Sequence, residues 1–379
     1  MFKCRRQGWE SVPHDATGRL LLMTGTPTAD RSETMRAARF DSATGDLSVQ
    51  DVPVPEVGPD DVLVRVEACG ICLSDVHLID GSLPGPLPSV TPGHEAAGIV
   101  EKVGAHVAGW QPGDRVLLAG GRPCFGCERC VRGRFEECLA FEIMGFNYDG
   151  AWAQYVLVQG PMMTSIPDDL PFPQAAVLAD AVSTPYAALT ARAGLHAGES
   201  VGLWGIGGLG VHAVQVARMV GASPIIAVDP LASARERALA LGADVALDPT
   251  SDDVVERIRE VTGGLMLDVA VDLVGANAVL AQAVASLGRF GRAVMVGLSL
   301  EDVQLGPGLF FGLLGQSLLG HLGYQKKHLD ELVQLVSTGR LDVSGSVSAT
   351  MPLEEVVSGV EQLQTKSGNP IRLVVEPWT

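Results

Sequence analysis

The stretch Ser200–Asp229, SVGLWGIGGLGVHAVQVARMVGASPIIAVD, constrains the fold more than any other part of this 379-residue chain. An apolar run, Val201–Trp204, leads into Gly205, Gly207 and Gly210 at the spacing G-x-G-x-x-G, then into a segment of helical character and a second apolar run that closes on Asp229. Strand, glycine turn, helix and parallel strand follow one another in that order. Gly205 admits a tight turn, Gly207 lets a pyrophosphate approach the backbone, and Gly210 lets helix pack on strand. The helix N-terminus at Gly208 and Leu209 offers unpaired N–H groups to the phosphates. Asp229 can accept both ribose hydroxyls and repels a 2′-phosphate, so the stretch predicts an NAD-binding Rossmann unit.

Alternation continues through MLDVAVDLVG, AVASLGRFGRAVMVGL and QSLLGHLGY, enough for a six-stranded, doubly wound parallel sheet. Upstream the texture differs. From Met35 to about Val158, short β-like runs are cut by turn signals such as PEVGPDD and GWQPGDRV, which suits a partly open β-barrel. Near Ala175 the pattern turns helical. Two domains agree with the length, because single cores stop growing beyond about 250–300 residues. The first 34 residues show neither a period of 2 nor one of 3.6, and read as an N-terminal extension that need not be ordered.

Net charge removes several classes of partner. With 44 acidic against 27 basic side chains and a formal charge of −17, the chain repels nucleic acid and anionic lipid. No apolar run is long enough to span a bilayer, and no secretory signal is legible, so a reducing, cytoplasmic setting is expected. In that setting clustered cysteines read as metal ligands ahead of disulfides. Cys124, Cys127, Cys130 and Cys138 lie within fifteen residues in RPCFGCERCVRGRFEEC and can give four thiolates to one tetrahedral Zn2+. With every position filled by protein, that site is structural; a disulfide or an iron–sulfur cluster is the alternative.

A second set of ligand types is scattered: Cys69, Cys72, Ser74, Asp75 and His77 in ACGICLSDVH, His94 and Glu95 in TPGHEAAG, and Asp180 in LADAVSTPY. A zinc held by Cys72, His94 and Asp180 would keep one open position, the arrangement of a catalytic site. Taken singly, each has a plainer reading: a small buried thiol, a satisfied turn histidine, a helix surface charge.

The motifs GICLSD, PGHEAAGIVEKVG, PGDRV, the four-cysteine segment, DGAWAQYVLV, GIGGLG and AVD stand in one order from about Met35 to the C-terminus. That combination resembles the zinc-dependent medium-chain dehydrogenase/reductase (alcohol dehydrogenase) family. The resemblance implies an α/β plus β architecture: a GroES-like catalytic domain over residues 35–180, with its zinc lobe at 122–140, a Rossmann domain over 181–320, and a return to the catalytic domain over 321–379. It further implies two Zn2+ per chain and NAD, with Cys72 and His94 as catalytic zinc ligands and Glu95 as the nearby carboxylate. It places Ser74 at the substrate oxygen, His77 at the end of a proton relay, Thr184 beside the nicotinamide, and Arg372 at the pyrophosphate. Reversible oxidation of a primary, secondary or cyclic alcohol is the expected reaction, in a homodimer or homotetramer joined through the Rossmann sheet edge. Reduction of a conjugated double bond, or oxidation of a cyclic hydroxyacyl thioester, is the alternative. Asp180 stands where many relatives carry a cysteine, and Leu73 where several carry a basic residue.

Overall fold

A computed structural model of the chain describes residues 33–379. The extension expected over residues 1–34 lies outside them, apart from its last two residues. Among the described residues, a seven-stranded sheet and a six-stranded sheet carry most of the core.

The strand Asp61–Ile71 is central to the seven-stranded sheet. It pairs antiparallel with Glu95–Val103, with Tyr155–Gln159 and with Leu373–Glu376 near the C-terminus. Its sequence, DVLVRVEACGI, alternates at first and is then buried on both faces, as a strand covered on both sides must be. Two of its registers position polar side chains: Gly70 lies opposite Glu95, and Leu373 lies opposite Ile71. A Cβ at Gly70 would stand 2.2 Å from Glu95 Oε2, so only glycine lets that carboxylate lie across the strand.

The six-stranded sheet is parallel, in the order Val245–Leu247, Ile225–Val228, Val201–Trp204, Leu267–Asp272, Leu287–Met295, Ser317–Gly320. Counted along the chain this is 3-2-1-4-5-6, the doubly wound order expected of a Rossmann unit, with its crevice where the first strand meets the fourth. Alternation sends Val201 and Leu203 into one cluster and Trp204 into the other, so both faces are covered. Fully burying each such side chain contributes about 1.5–3 kcal/mol. The helix Gly208–Val220 follows the glycine turn and stops at Gly221, whose φ of 92° suits a residue without a Cβ.

Between the two sheets runs a helical segment with two wide π turns, Leu178–Val182 and Ala188–Arg192, around the α-helical Phe172–Val177 and Ser183–Ala187. Its first half packs on the strands Asp61–Ile71 and Glu95–Val103, its second on the helix Gly208–Val220. Asp180 sits in the first π turn, a distortion that often marks functional positions in helices.

Candidate functional site

The four clustered cysteines converge. Cys127 Sγ lies 3.5 Å from Cys130 Sγ and 4.0 Å from Cys138 Sγ, and Cys124 Sγ lies 4.0 Å from Cys130 Sγ. Disulfide sulfurs would sit at about 2.05 Å. Four sulfurs around a zinc at about 2.3 Å would be roughly 3.8 Å apart, so the donor set fits that ion. Their surroundings push the thiols in opposite directions. Backbone N–H groups of Cys130 and Leu139 pull Cys127 down to about 6, whereas burial and the neighbouring thiols push Cys130 up to about 12.

The scattered set converges as well. Ile71 ends the central strand, and Cys72 caps the helix Leu73–Ile79. The pairing of Gly70 with Glu95 brings His94 and Glu95 alongside, and the π turn delivers Asp180. Cys72 Sγ is 3.3 Å from Asp180 Oδ2, which is 3.8 Å from His94 Nε2. Donor atoms of Cys72, His94, Glu95 and Asp180 all lie within 4.8 Å of one another. Ser74 Oγ is 3.4 Å from His94 Nε2, and Thr184 Oγ1 donates to Asp180 Oδ1 at 2.5 Å. Glu95 is fully buried, with Oε1 3.1 Å from Arg372 Nη2, while Arg372 Nη1 donates to the Ile71 carbonyl. Both Glu95 oxygens otherwise lack a hydrogen-bond partner.

Charge in this pocket favours a cation. Burial lifts Glu95 to about 8 against the pull of Arg372, and burial followed by Asp180 raises Cys72. Burial opposes a charged His94, yet Asp75, Asp180 and Cys72 outweigh it and hold the imidazole well above the usual histidine range. Sulfur, imidazole and carboxylate on three elements form a donor set that fits zinc with room for one further ligand.

Cofactor candidates line the crevice. Gly205 has φ 89°, and a Cβ at Gly210 would meet the Gly205 carbonyl at 2.0 Å. Asp229 is buried at the end of its strand, where Oδ2 accepts from Ile206 N and Oδ1 from Leu231 N, each at 2.8 Å. Gly207 and Leu209 flank Gly208 at the helix start, and a Cβ on Gly208 would lie 3.2 Å from Arg372 Cζ. Arg372 thus reaches both Glu95 and the glycine turn. His77 lies apart from the donor cluster, its Nδ1 2.9 Å from Ser82 Oγ, on a cleft of about 380 Å³ shared with Leu83, Leu298 and Glu301.

The chain is also similar to known proteins. Residues 58–168 match the alcohol dehydrogenase GroES-like domain, and residues 208–338 the zinc-binding dehydrogenase domain. An alcohol dehydrogenase of Geobacillus stearothermophilus is 34% identical over 85% of this chain and 94% of its own length. The chain belongs to the zinc-dependent medium-chain dehydrogenase/reductase family. It is an oxidoreductase. An L-threonine 3-dehydrogenase of Symbiobacterium thermophilum is 33% identical over 90% of this chain and 98% of its own. A structure from Sinorhizobium meliloti, described as a zinc-binding dehydrogenase bound to NADP, superposes with a TM-score of 0.84 at 31% identity, covering 91% of this chain and 100% of that one.

Within the family frame one residue stands out that motif reading left without a role. Asp75 is fully buried; its Oδ1 faces His94 Nδ1 at 3.3 Å and accepts from Gly93 N, and its Oδ2 accepts from Cys72 N at 2.9 Å. It therefore orients two of the three donors from behind. The signal was present as a carboxylate three residues after a helix-capping position, the spacing of a capping box. Asp75→Asn is expected to weaken metal binding by roughly 10–100-fold, read by competition with a chelating dye.

Proposed function

We propose that the chain is a zinc- and NAD-dependent alcohol dehydrogenase. The convergence of Cys72, His94 and Asp180 beside Ser74, within reach of a glycine turn through Arg372, carries this reading. Those three residues would hold the catalytic zinc, and Cys124, Cys127, Cys130 and Cys138 the structural one. Bound there, the metal supplies Lewis acidity, and NAD in the crevice a hydride acceptor. Ser74 Oγ would accept the proton of the substrate hydroxyl while its own proton passes on toward His77. His77, one turn further along the same helix and on the cleft wall, holds a proton where solvent can take it. Thr184 fixes Asp180 and stands at the nicotinamide side of the crevice. Asp229, anchored by two backbone N–H groups, keeps its carboxylate where a 2′-phosphate would be repelled, which favours NAD over NADP.

The division proposed is 35–180 and 321–379 for the catalytic part and 181–320 for the cofactor part. A second copy is proposed along the edge strand Ser317–Gly320, next to the exposed Leu309, Phe310 and Leu313. A reducing, cytoplasmic location is proposed as well, because four cysteines kept as zinc ligands need to stay reduced. Among the described residues no helix is long and apolar enough to cross a membrane.

The test combines metal analysis with NADH formation over a panel of primary, secondary and cyclic alcohols. About two zinc per chain and NADH formed from an alcohol are expected, in line with two donor sets. One zinc per chain, or a carbon–carbon double bond reduced while every alcohol is refused, overturns the reading.

A further inference from the structure

The first helix of the parallel sheet carries a buried histidine that the proposed chemistry does not use. His212 lies one turn into Gly208–Val220 and is 1% exposed. Its Nδ1 is 2.7 Å from the Gly208 carbonyl oxygen, and its Nε2 is 2.8 Å from Ser346 Oγ. A carbonyl can only accept, so Nδ1 carries the proton; a neutral ring then leaves Nε2 as acceptor, and the Ser346 hydroxyl donates to it. Burial keeps the ring neutral, pushing it down to about 4.

Three parts of the chain meet here. Gly208 opens the helix at the glycine turn. The π turn Leu178–Val182, which carries Asp180, packs against the same helix. Ser346 belongs to the segment before Ala349–Pro352, the strand paired with Leu373–Glu376. The contact extends along the helix, where Gln215 Nε2 donates to the Asp342 carbonyl at 3.0 Å. At the helix start a Cβ on Gly208 would lie 2.7 Å from the Ile371 carbonyl, so there is no slack between the turn and Arg372.

We propose that His212 and Ser346 form a latch that holds the N-terminus of the helix Gly208–Val220 in register with Arg372 and the Asp180 turn, making His212 a positioning residue for the dinucleotide. The proposal rests on the dehydrogenase reading, because it gives the glycine turn a pyrophosphate to hold. His212 touches neither metal nor substrate; it acts through the Gly208 carbonyl, and Ser346 acts through His212.

Ser346→Ala in the full-length, zinc-loaded protein removes only the Nε2 partner. The NADH dissociation constant, followed by nucleotide fluorescence, and the KM for NAD are expected to rise roughly fivefold, the loss of one net hydrogen bond, with kcat changing less than about twofold. His212→Asn places an amide nitrogen near the position of Nδ1, so it keeps the Gly208 bond and loses Ser346. It is expected to reproduce the Ser346→Ala value, and the double variant to add nothing further. Should Ser346→Ala fail to fold, His212→Asn carries the same measurement. A lowered melting temperature with NADH affinity at the wild-type value overturns the latch and leaves an ordinary buried hydrogen bond. Additive effects in the double variant also overturn it. Wild-type protein that does not bind NADH overturns the dehydrogenase reading itself, and the latch with it.

Discussion

Replacing Asp180 by alanine is expected to leave one zinc per chain and to lower kcat/KM for an alcohol by on the order of a thousandfold or more, since a Lewis-acid metal supplies several kcal/mol and each 1.36 kcal/mol is tenfold. Geometry sets that expectation. Asp180 Oδ2 lies close to both other donors, 3.3 Å from Cys72 Sγ and 3.8 Å from His94 Nε2. Glu95 cannot take its place freely, because Arg372 holds it at 3.1 Å. The substitution would also strand the Thr184 hydroxyl, which now donates to Asp180 Oδ1. Burial works against an ionised Asp180, but His94, Arg372 and Thr184 more than offset it and keep the group well below the ordinary carboxylate range. The side chain is therefore a carboxylate ready to bind, with no proton to displace. Carboxylate in place of thiolate keeps the formal ligand charge but donates less electron density, which would leave the proposed zinc a stronger Lewis acid. Metal analysis and steady-state kinetics check the expectation together: full zinc with full activity in Asp180→Ala would remove Asp180 from the ligand set.

What could be read from sequence divides by distance along the chain. The Rossmann unit was legible because strand, glycines, helix and Asp229 are contiguous; the strand order of its six-stranded parallel sheet comes from the structure. The cysteine lobe was legible for the same reason. Cys72 and Asp180 are 108 residues apart, and nothing local in the sequence says that they touch. Their meeting depends on the Gly70–Glu95 register and on a π turn that no residue pattern announces. Asp75 was in plain view, but its role depends on His94 arriving from the adjacent strand. Arg372 was expected at the pyrophosphate. The structure adds a partner that sequence could not supply, the buried Glu95, so that one guanidinium lies between the metal donors and the glycine turn.

Cys127→Ser is expected to do the opposite of Asp180→Ala, costing stability first. The lobe at residues 122–140 has almost no core of its own: Cys130 is buried, but Val131 and Leu139 are each 76% exposed, and Phe135 is partly exposed. Its ring contacts, Phe125 against Phe135 at 5.4 Å and the Arg122 guanidinium over Tyr148 at 4.1 Å, contribute about 0.5–1.5 and about 0.5–2 kcal/mol. Its ion pairs, Arg129–Glu137, Arg132–Glu128 and Arg134–Glu137, are exposed and contribute about 0–1 kcal/mol each. Structural zinc in small domains contributes about 10–16 kcal/mol of apparent binding free energy, so the proposed zinc would outweigh these contacts in ordering the lobe. Losing even several kcal/mol of that corresponds to a melting temperature lower by on the order of 10 °C in a domain of this size. The lobe should then open locally, and limited trypsin treatment should cut at Arg129, Arg132 and Arg134 while the parallel sheet stays intact. Activity measured at low temperature should fall far less than in Asp180→Ala, because no donor of the Cys72–His94–Asp180 set has been touched. A Cys127→Ser protein that carries one zinc fewer yet melts and resists trypsin like the wild type would show that the loop is ordered without its metal.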